Sequence, residues 1–224
     1  MKEIEPVATV YTPYTSKFGI PRQSGLVETE SRVVFAPAFR SPEAIRGIEG
    51  YTHLWLIWGF SEAEYNGSAL TVRPPRLGGN ARMGVFATRS PFRPNGLGLS
   101  CVRLLRVETE GPQAPVLVVA GADMLNGTPV YDVKPYLPFT DSVPDAAGGF
   151  AEAVRGDRLR VEYQTDVSFL SPKTLAALTS LLAGDPRPHY QNDPERVYAF
   201  EFAGLHVAFA CNGETLFVKE VRAL

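Results

Sequence analysis

A chain of 224 residues with 45% hydrophobic content can bury one sizeable core, or one core with a small satellite module. Its 21% charged residues and net charge of −2 are ordinary, and no apolar run approaches the ~20 residues that span a bilayer, so no membrane helix is expected. Two cysteines, Cys101 and Cys211, form no C-x-x-C pair, and His53, His189 and His206 are scattered, so neither a disulfide framework nor a metal site is indicated.

The N-terminus carries acids and no apolar core region, so no signal peptide is expected and a reducing, cytoplasmic location is the default. Glu5 to Thr12 has strand character, and Tyr14 to Gly25 is a loop centred on Pro21, Arg22 and Gln23. A strand follows around Ser31 to Phe35. Ser41-Pro42-Glu43 predicts a short helix, with Ser as cap and Pro at the first position, ending near Gly47 to Gly50. Tyr51 to Phe60 is a nearly continuous apolar run with two Trp, the pattern of a buried strand. His53 at its start reads first as a core histidine bonded to backbone, and only second as a pocket residue. Arg82 to Thr88, Gly98 to Val107 and Pro115 to Ala122 have strand character, the last fully apolar and central. Asn126-Gly127-Thr128-Pro129 is a tight turn before Tyr131 to Tyr136. Short strands joined by Gly/Pro turns predict a mainly β protein, with an antiparallel barrel or sandwich over about the first 140 residues. Pro138 to Arg155, rich in Pro, Gly, Ala and acid, has the composition of a linker. Leu159 to Phe169 could be one strand, and Ser171-Pro172 opens a helix to about Ala183 that Asp185-Pro186-Arg187-Pro188 ends. Strands at Val197 to Phe202, Leu205 to Ala210 and Leu216 to Val221 complete a small C-terminal α+β module.

The charge is unevenly spread. From Tyr65 to Val107 there is no Asp, Glu or Lys but there are seven Arg, which leaves a net −9 on the rest of the chain. Arg is planar and always charged, and it matches phosphate or carboxylate with two parallel N–H donors. Here Arg73, Arg76, Arg82, Arg89 and Arg93 are interleaved with Pro and Gly, which stiffen the chain and permit close backbone approach. This pattern points to a site for an anionic partner, RNA phosphate above all. A solvated loop rim with structural Arg–backbone contacts is the bland alternative for any single Arg.

The standard enzyme signatures fail. No G-x-G-x-x-G follows a strand, Leu77-Gly78-Gly79-Asn80 and Asn95-Gly96-Leu97-Gly98 lack the Lys-Ser/Thr of a P-loop, and G-x-S-x-G and H-E-x-x-H are missing. Longer motifs are nonetheless recognisable. Val72 to Asn80 (VRPPRLGGN), Val85 to Asn95 (VFATRSPFRPN) and Asn126 to Tyr136 (NGTPVYDVKPY) resemble the TrmO family, also called TsaA-like or YaeB. So do Pro21-Arg22-Gln23, Thr52-His53-Leu54-Trp55 and Asp185-Pro186-Arg187-Pro188-x-Tyr190. The match covers nearly the whole chain in order.

The resemblance implies a tRNA methyltransferase dependent on S-adenosyl-L-methionine (SAM), acting on N6 of threonylcarbamoyladenosine beside the anticodon. It implies an antiparallel, non-Rossmann β-barrel cofactor domain over 1–142, a linker over 143–157, a small α+β domain over 158–224, and a homodimer. The family's cofactor positions carry over to Gln23, Ser24, Gly25, Ser61, Glu62, Arg89, Leu99, Asn126, Gly127, Thr128 and Pro129. Asn126 departs from the Asp common in that turn, which weakens any role there that needs a carboxylate. The acceptor nitrogen must lose a proton, for which Asp132, Tyr136 and Asp123 are the candidates by sequence. Arg22, Arg73, Arg76, Arg82 and Arg93 are candidates for RNA phosphates, and Arg187 and Tyr190 for the anticodon loop. Two other classes stay open: a non-catalytic RNA-binding barrel, and a SAM-dependent enzyme acting on a small anionic molecule.

Overall fold

The computed structural model describes residues 3–63, 70–74, 81–153, 158–187 and 193–224. Alternation along the strands explains its first half. In β3 (His53–Gly59) Leu54, Leu56 and Trp58 face inward and are buried, while His53, Trp55 and Ile57 face outward. β1 (Ala8–Tyr11), β2 (Glu30–Phe35), β6 (Leu97–Glu108), β7 (Val116–Ala120) and β8 (Thr128–Pro135) join it in a closed antiparallel barrel of order β1-β2-β7-β6-β3-β8. Closure gives every strand a partner on both sides over at least part of its length. The barrel core includes Val10, Val33, Leu54, Leu56, Trp58, Val102, Leu117, Val119, Met124 and Val130. Gly98 on β6 is required by Trp58, because a Cβ there would strike the indole. A small ladder of β4 (Thr71–Val72) and β5 (Met83–Gly84) stands apart.

The second half builds its own core. β9 (Arg160–Tyr163), β10 (Tyr198–Phe202), β11 (Leu205–Asn212) and β12 (Thr215–Ala223) form a sheet of order β10-β11-β12-β9, with β9 parallel to β12. A helix, α3 (Pro172–Ala183), buries Ala177, Leu178, Leu181 and Leu182 in the core beneath it. Ser171 caps this helix by accepting from Thr174 N at 3.1 Å, as the Ser-Pro start predicts. Tyr14, Phe18, Ile20 and Val27, from the connection between β1 and β2, also enter this second core. Gly19 permits the approach, since a Cβ there would lie 2.5 Å from the Phe200 ring. Glu30 on β2 adds ion pairs to Lys173 on α3 and to Arg106 on β6.

Several expected elements take other forms. After Ser41 the chain makes turns and a 3-10 segment at Ile48–Gly50 instead of an α-helix. Its bonds are all of the short type, Ala44 N to Ser41 O, Arg46 N to Glu43 O and Ile48 N to Ile45 O, and Gly47 sits at φ 87°. Only Met83–Gly84 of the expected Arg82–Thr88 strand pairs, because Thr88 N and Oγ1 both bond back to Val85 O. The strand expected over Leu159 to Phe169 stops at Tyr163, ahead of a turn in which Asp166 accepts from Ser168 N. The linker-like stretch holds two one-turn helices, α1 (Pro138–Asp141) and α2 (Phe150–Ala153). His53 lies on the outer wall instead of in the core, with Thr52 Oγ1 3.0 Å from its Nδ1. Among the described residues, no helix is long and apolar enough to cross a membrane.

Candidate cofactor and RNA site

The barrel wall has an opening filled by a loop. β6 pairs with β3 from Leu97 to Arg103, but with β7 only from Arg103 onward. After β7, Gly121 at φ 85° turns the chain away from β6. The loop of Gln23, Ser24 and Gly25 takes the vacated place. Gly25 N donates to Gly121 O at 2.9 Å, and Cys101 N donates to Ser24 Oγ at 3.2 Å. The two glycines meet so closely that a Cβ on Gly121 would lie 3.1 Å from Gly25 backbone atoms.

Asp123 lines this opening. Its Oδ1 accepts from Ser100 Oγ at 2.5 Å, and Trp58 Nε1 donates to the same Ser100 oxygen at 2.9 Å. Ser24 N–H also donates to the carboxylate, and the Arg89 charge lies within Coulombic reach. Burial pushes the Asp123 carboxyl above the usual carboxylate range, outweighing these interactions, of which the Ser100 bond is the largest. Arg89 in turn donates to Gln23 Oε1, and Gln23 Nε2 donates to Arg22 O at 2.5 Å. A guanidinium, an amide and a carboxyl group therefore converge on one short loop. Nearby, burial raises the Tyr14 phenol to about 12, and its hydroxyl lies 2.9 Å from Thr29 Oγ1.

The turn after Asp123 is locked to the end of β1. Asn126 N donates to Tyr14 O at 2.8 Å, Gly127 N to Val10 O at 2.9 Å and Thr128 N to Leu125 O at 3.2 Å. Thr128 Oγ1 also bonds Leu125 O, at 2.7 Å, and the residue is buried, so its hydroxyl serves the turn. With the backbone N–H groups of 126–128 engaged, the main chain of this turn offers a ligand carbonyl acceptors, and the Asn126 side-chain amide adds its Nδ2 donors. Pro129 lies beside it, opposite Thr9. Asn126 Oδ1 accepts from Thr12 N at 3.0 Å. That contact needs an acceptor oxygen and no charge, and the neutral Asn126 side chain supplies it.

The remaining candidates are dispersed. Ser61 and Glu62 follow β3, where Glu62 pairs with Lys17 at 3.3 Å. Leu99 is 55% exposed on the outer wall, and it and Asp132 both pair across from Ile57. Asp132 contacts Lys134 at 3.1 Å and accepts from Val133 N at 2.9 Å. Tyr136 sits at the His53 end of β3, its ring 5.7 Å from Trp55. Four residues of strand put it about 13 Å from Asp132. The structure therefore separates the three acid–base candidates: Asp123 on the inner side of the opening, Asp132 on the outer wall, Tyr136 far along it.

The Arg residues also divide. Arg82 and Arg73 are exposed, Arg82 donating to Thr71 Oγ1 at 3.3 Å, and half-buried Arg93 donates to Thr88 O at 2.9 Å. Arg103 pairs with Glu28, and Arg106 with Glu30 and with Glu108 of its own strand, so acids neutralise two of the seven. Arg22, expected at RNA phosphate, and Arg187, expected at the anticodon loop, are both engaged within the protein. Arg187, with a side chain only 10% exposed, is held by Asp185 at 2.8 Å, and Arg22 Nη2 donates to the carbonyls of Asp185 and Arg187 at 2.7 and 3.0 Å. Arg76 and Tyr190 lie outside the described residues.

Three residues escaped the sequence reading. Ser100 was legible as the lone polar residue on the inward stripe of Gly98, Ser100, Val102 and Leu104. Phe86 and Phe92, 75% and 56% exposed in the stretch that holds Arg82, Arg89 and Arg93, are apolar side chains kept in solvent within a basic run, the pattern of base-stacking surfaces. Among the described residues no three His, Cys, Asp or Glu side chains gather as a metal site, and both cysteines are free.

A closed antiparallel barrel with a loop-filled opening and a rim of exposed Arg and Phe side chains defines a β-barrel protein distinct from any α/β nucleotide fold. Comparison with known proteins sharpens this. Residues 9–142 match the family model of the tRNA-methyltransferase O N-terminal domain, and residues 159–224 that of the TrmO C-terminal domain. The chain is 40% identical over 201 residues to the tRNA (adenine(37)-N6)-methyltransferase of Escherichia coli K12, covering 86% of this chain and 85% of that one. It is 47% identical over 176 residues to the Eikenella corrodens protein of the same name, covering 78% and 98%. The crystal structure of TrmO from Pseudomonas aeruginosa aligns with a TM-score of 0.76 at 30% identity, over the full length of both chains. The chain belongs to the TrmO family.

Proposed function

We propose that the protein methylates N6 of adenosine 37 of tRNA, bearing the threonylcarbamoyl group, with SAM as donor, as the names of its relatives indicate for the position and atom. The observation that carries this reading is the junction of Arg89, Gln23, Ser24 and Asp123 in the barrel opening, beside the exposed Arg and Phe residues. The donor set fits SAM. Arg89 suits the carboxylate of its amino-acid end and Asp123 the ammonium. The backbone carbonyls of the turn from Asn126 to Pro129 suit a cationic sulfur and the amino edge of adenine. Gly25 and Leu99 shape the rim, and Ser61 with Glu62 closes the far side. When bound, SAM supplies an electrophilic methyl carbon on a cationic sulfur: N6 gains the methyl, sulfur keeps the C–S electron pair, and N6 loses a proton.

The chain's own work is then positioning. In-line approach within about 3 Å provides much of the rate in such transfers. Arg73, Arg82 and Arg93, with Arg76, hold phosphates, while Phe86 and Phe92 stack bases. We assign the N6 proton to Asp132, which stands on the outer wall across β3 from Leu99, and the ammonium to Asp123. Residues 1–142 form the cofactor domain, 143–157 the linker and 158–224 the second domain, in a cytoplasmic homodimer. Light scattering of the purified protein tests the dimer. Isothermal calorimetry with SAM alone tests the cofactor site, and wild-type protein without measurable SAM affinity would refute it.

A further inference from the structure

The loop that fills the barrel opening is held from the other domain. α3 ends at Gly184, and Asp185 follows in the left-handed region at φ 53°, its N bonded to Leu182 O at 3.0 Å. The Asp185 carboxylate accepts from Arg187 N, Nε and Nη2 at 3.2, 2.8 and 3.0 Å. These bonds fold 185–187 into a tight clasp with both charged side chains largely buried. The clasp turns the carbonyls of Asp185 and Arg187 toward one Arg22 nitrogen. Arg22 O then receives Gln23 Nε2, whose amide oxygen receives Arg89. Upstream, Tyr14, Phe18 and Ile20 are embedded in the C-terminal core. Both arms of the loop thus rest on the C-terminal domain while its tip carries the groups facing the cofactor.

We infer that Asp185 and Arg187 are positioning residues for the cofactor loop, so that SAM affinity of the N-terminal barrel depends on a clasp in the C-terminal domain. The inference rests on the SAM-dependent reading above. An ordered loop binds more tightly because its conformational freedom is already lost before the ligand arrives. Arg187 acts through Arg22, which bonds its carbonyl.

The test uses the full chain and the variants Asp185→Asn, which keeps the shape of the clasp and removes its charge, and Arg22→Gln, which leaves the clasp whole and cuts its link to the loop. Calorimetry reads SAM affinity, filter binding at two salt concentrations reads tRNA affinity, and hydrogen exchange reads the amides of Ser24 and Gly25. Both variants are expected to bind SAM about tenfold more weakly, with tRNA affinity and its salt dependence unchanged and with faster exchange at 24 and 25. SAM binding and amide protection unchanged in both variants would overturn the inference. So would an Asp185→Asn or Arg187→Lys protein that loses tRNA affinity with a shallower salt dependence while SAM binding holds, because that outcome puts Arg187 on phosphate. If the wild-type protein bound no SAM, the reading above would fail, while the exchange at 24 and 25 would still decide whether the clasp orders the loop.

Discussion

Replacing Ser100 by Ala removes one oxygen that serves two buried partners. Trp58 Nε1 loses its acceptor at 2.9 Å, and Asp123 Oδ1 loses its donor at 2.5 Å. Trp58 is only 6% exposed, so water cannot easily replace the bond. An orphaned buried donor costs about 1–3 kcal/mol, and a hydrogen bond to a charged group contributes about 1.5–3 kcal/mol. The two losses share an atom and do not simply add, so the expected destabilisation is about 2–4 kcal/mol near neutral pH. The effect also has a pH signature. Burial already raises the Asp123 carboxyl, and Ser100 is the largest influence holding it down. A raised carboxyl adds stability below its unfolded value and loses that contribution as pH rises through its folded value. Without Ser100 the folded value rises further, so the deficit of the variant relative to wild type is larger near neutral pH than at a pH below the ordinary carboxylate range. Urea unfolding followed by tryptophan fluorescence at both pH values measures it. A deficit under about 0.5 kcal/mol, or one equal at both pH values, would refute the placement of Ser100 between Trp58 and Asp123.

Three further outcomes are expected. Arg89→Ala removes the guanidinium assigned to the cofactor carboxylate, worth about 1.5–3 kcal/mol, so calorimetry should show SAM affinity falling at least tenfold. Arg82→Ala and Arg93→Ala should weaken tRNA binding and flatten its salt dependence by about one phosphate each, with SAM affinity intact; an unchanged slope would remove them from the RNA face. Asp132→Asn should slow single-turnover methylation by about 100-fold with both ligands still bound, and turnover at the wild-type rate would take Asp132 off the reaction.

Local chemistry accounts for what the sequence made legible. The Ser171-Pro172 cap, the apolar run through Leu54, Leu56 and Trp58, and the Asn126-Gly127 turn each follow from neighbours in the chain, and each stands where expected. The barrel follows from many short alternating strands with Gly/Pro turns. What local pattern could not carry was pairing over long sequence distance. Arg103 and Arg106 lie in an acid-free run, yet their partners Glu28 and Glu30 come from β2 and its approach. Arg22 and Arg187 read as RNA ligands in one dimension, but in three dimensions Arg22 holds the carbonyls of Asp185 and Arg187, and Arg187 holds the Asp185 carboxylate. Tyr14 to Val27 belong in sequence to the barrel and in packing largely to the second core. The Ser41-Pro42 start failed because a cap needs a helix to continue, and Gly47 ends the turns before an α-helical repeat is established.

The measurement that bears most directly on the central claim is transfer of labelled methyl from SAM by the purified protein to two tRNA preparations. One carries threonylcarbamoyladenosine at position 37, and the other is an unmodified transcript. Label appearing on N6 of that nucleoside, and only in the modified tRNA, is the expected result. Label on neither tRNA, with SAM shown to bind, would contradict the assignment of tRNA as the methyl acceptor.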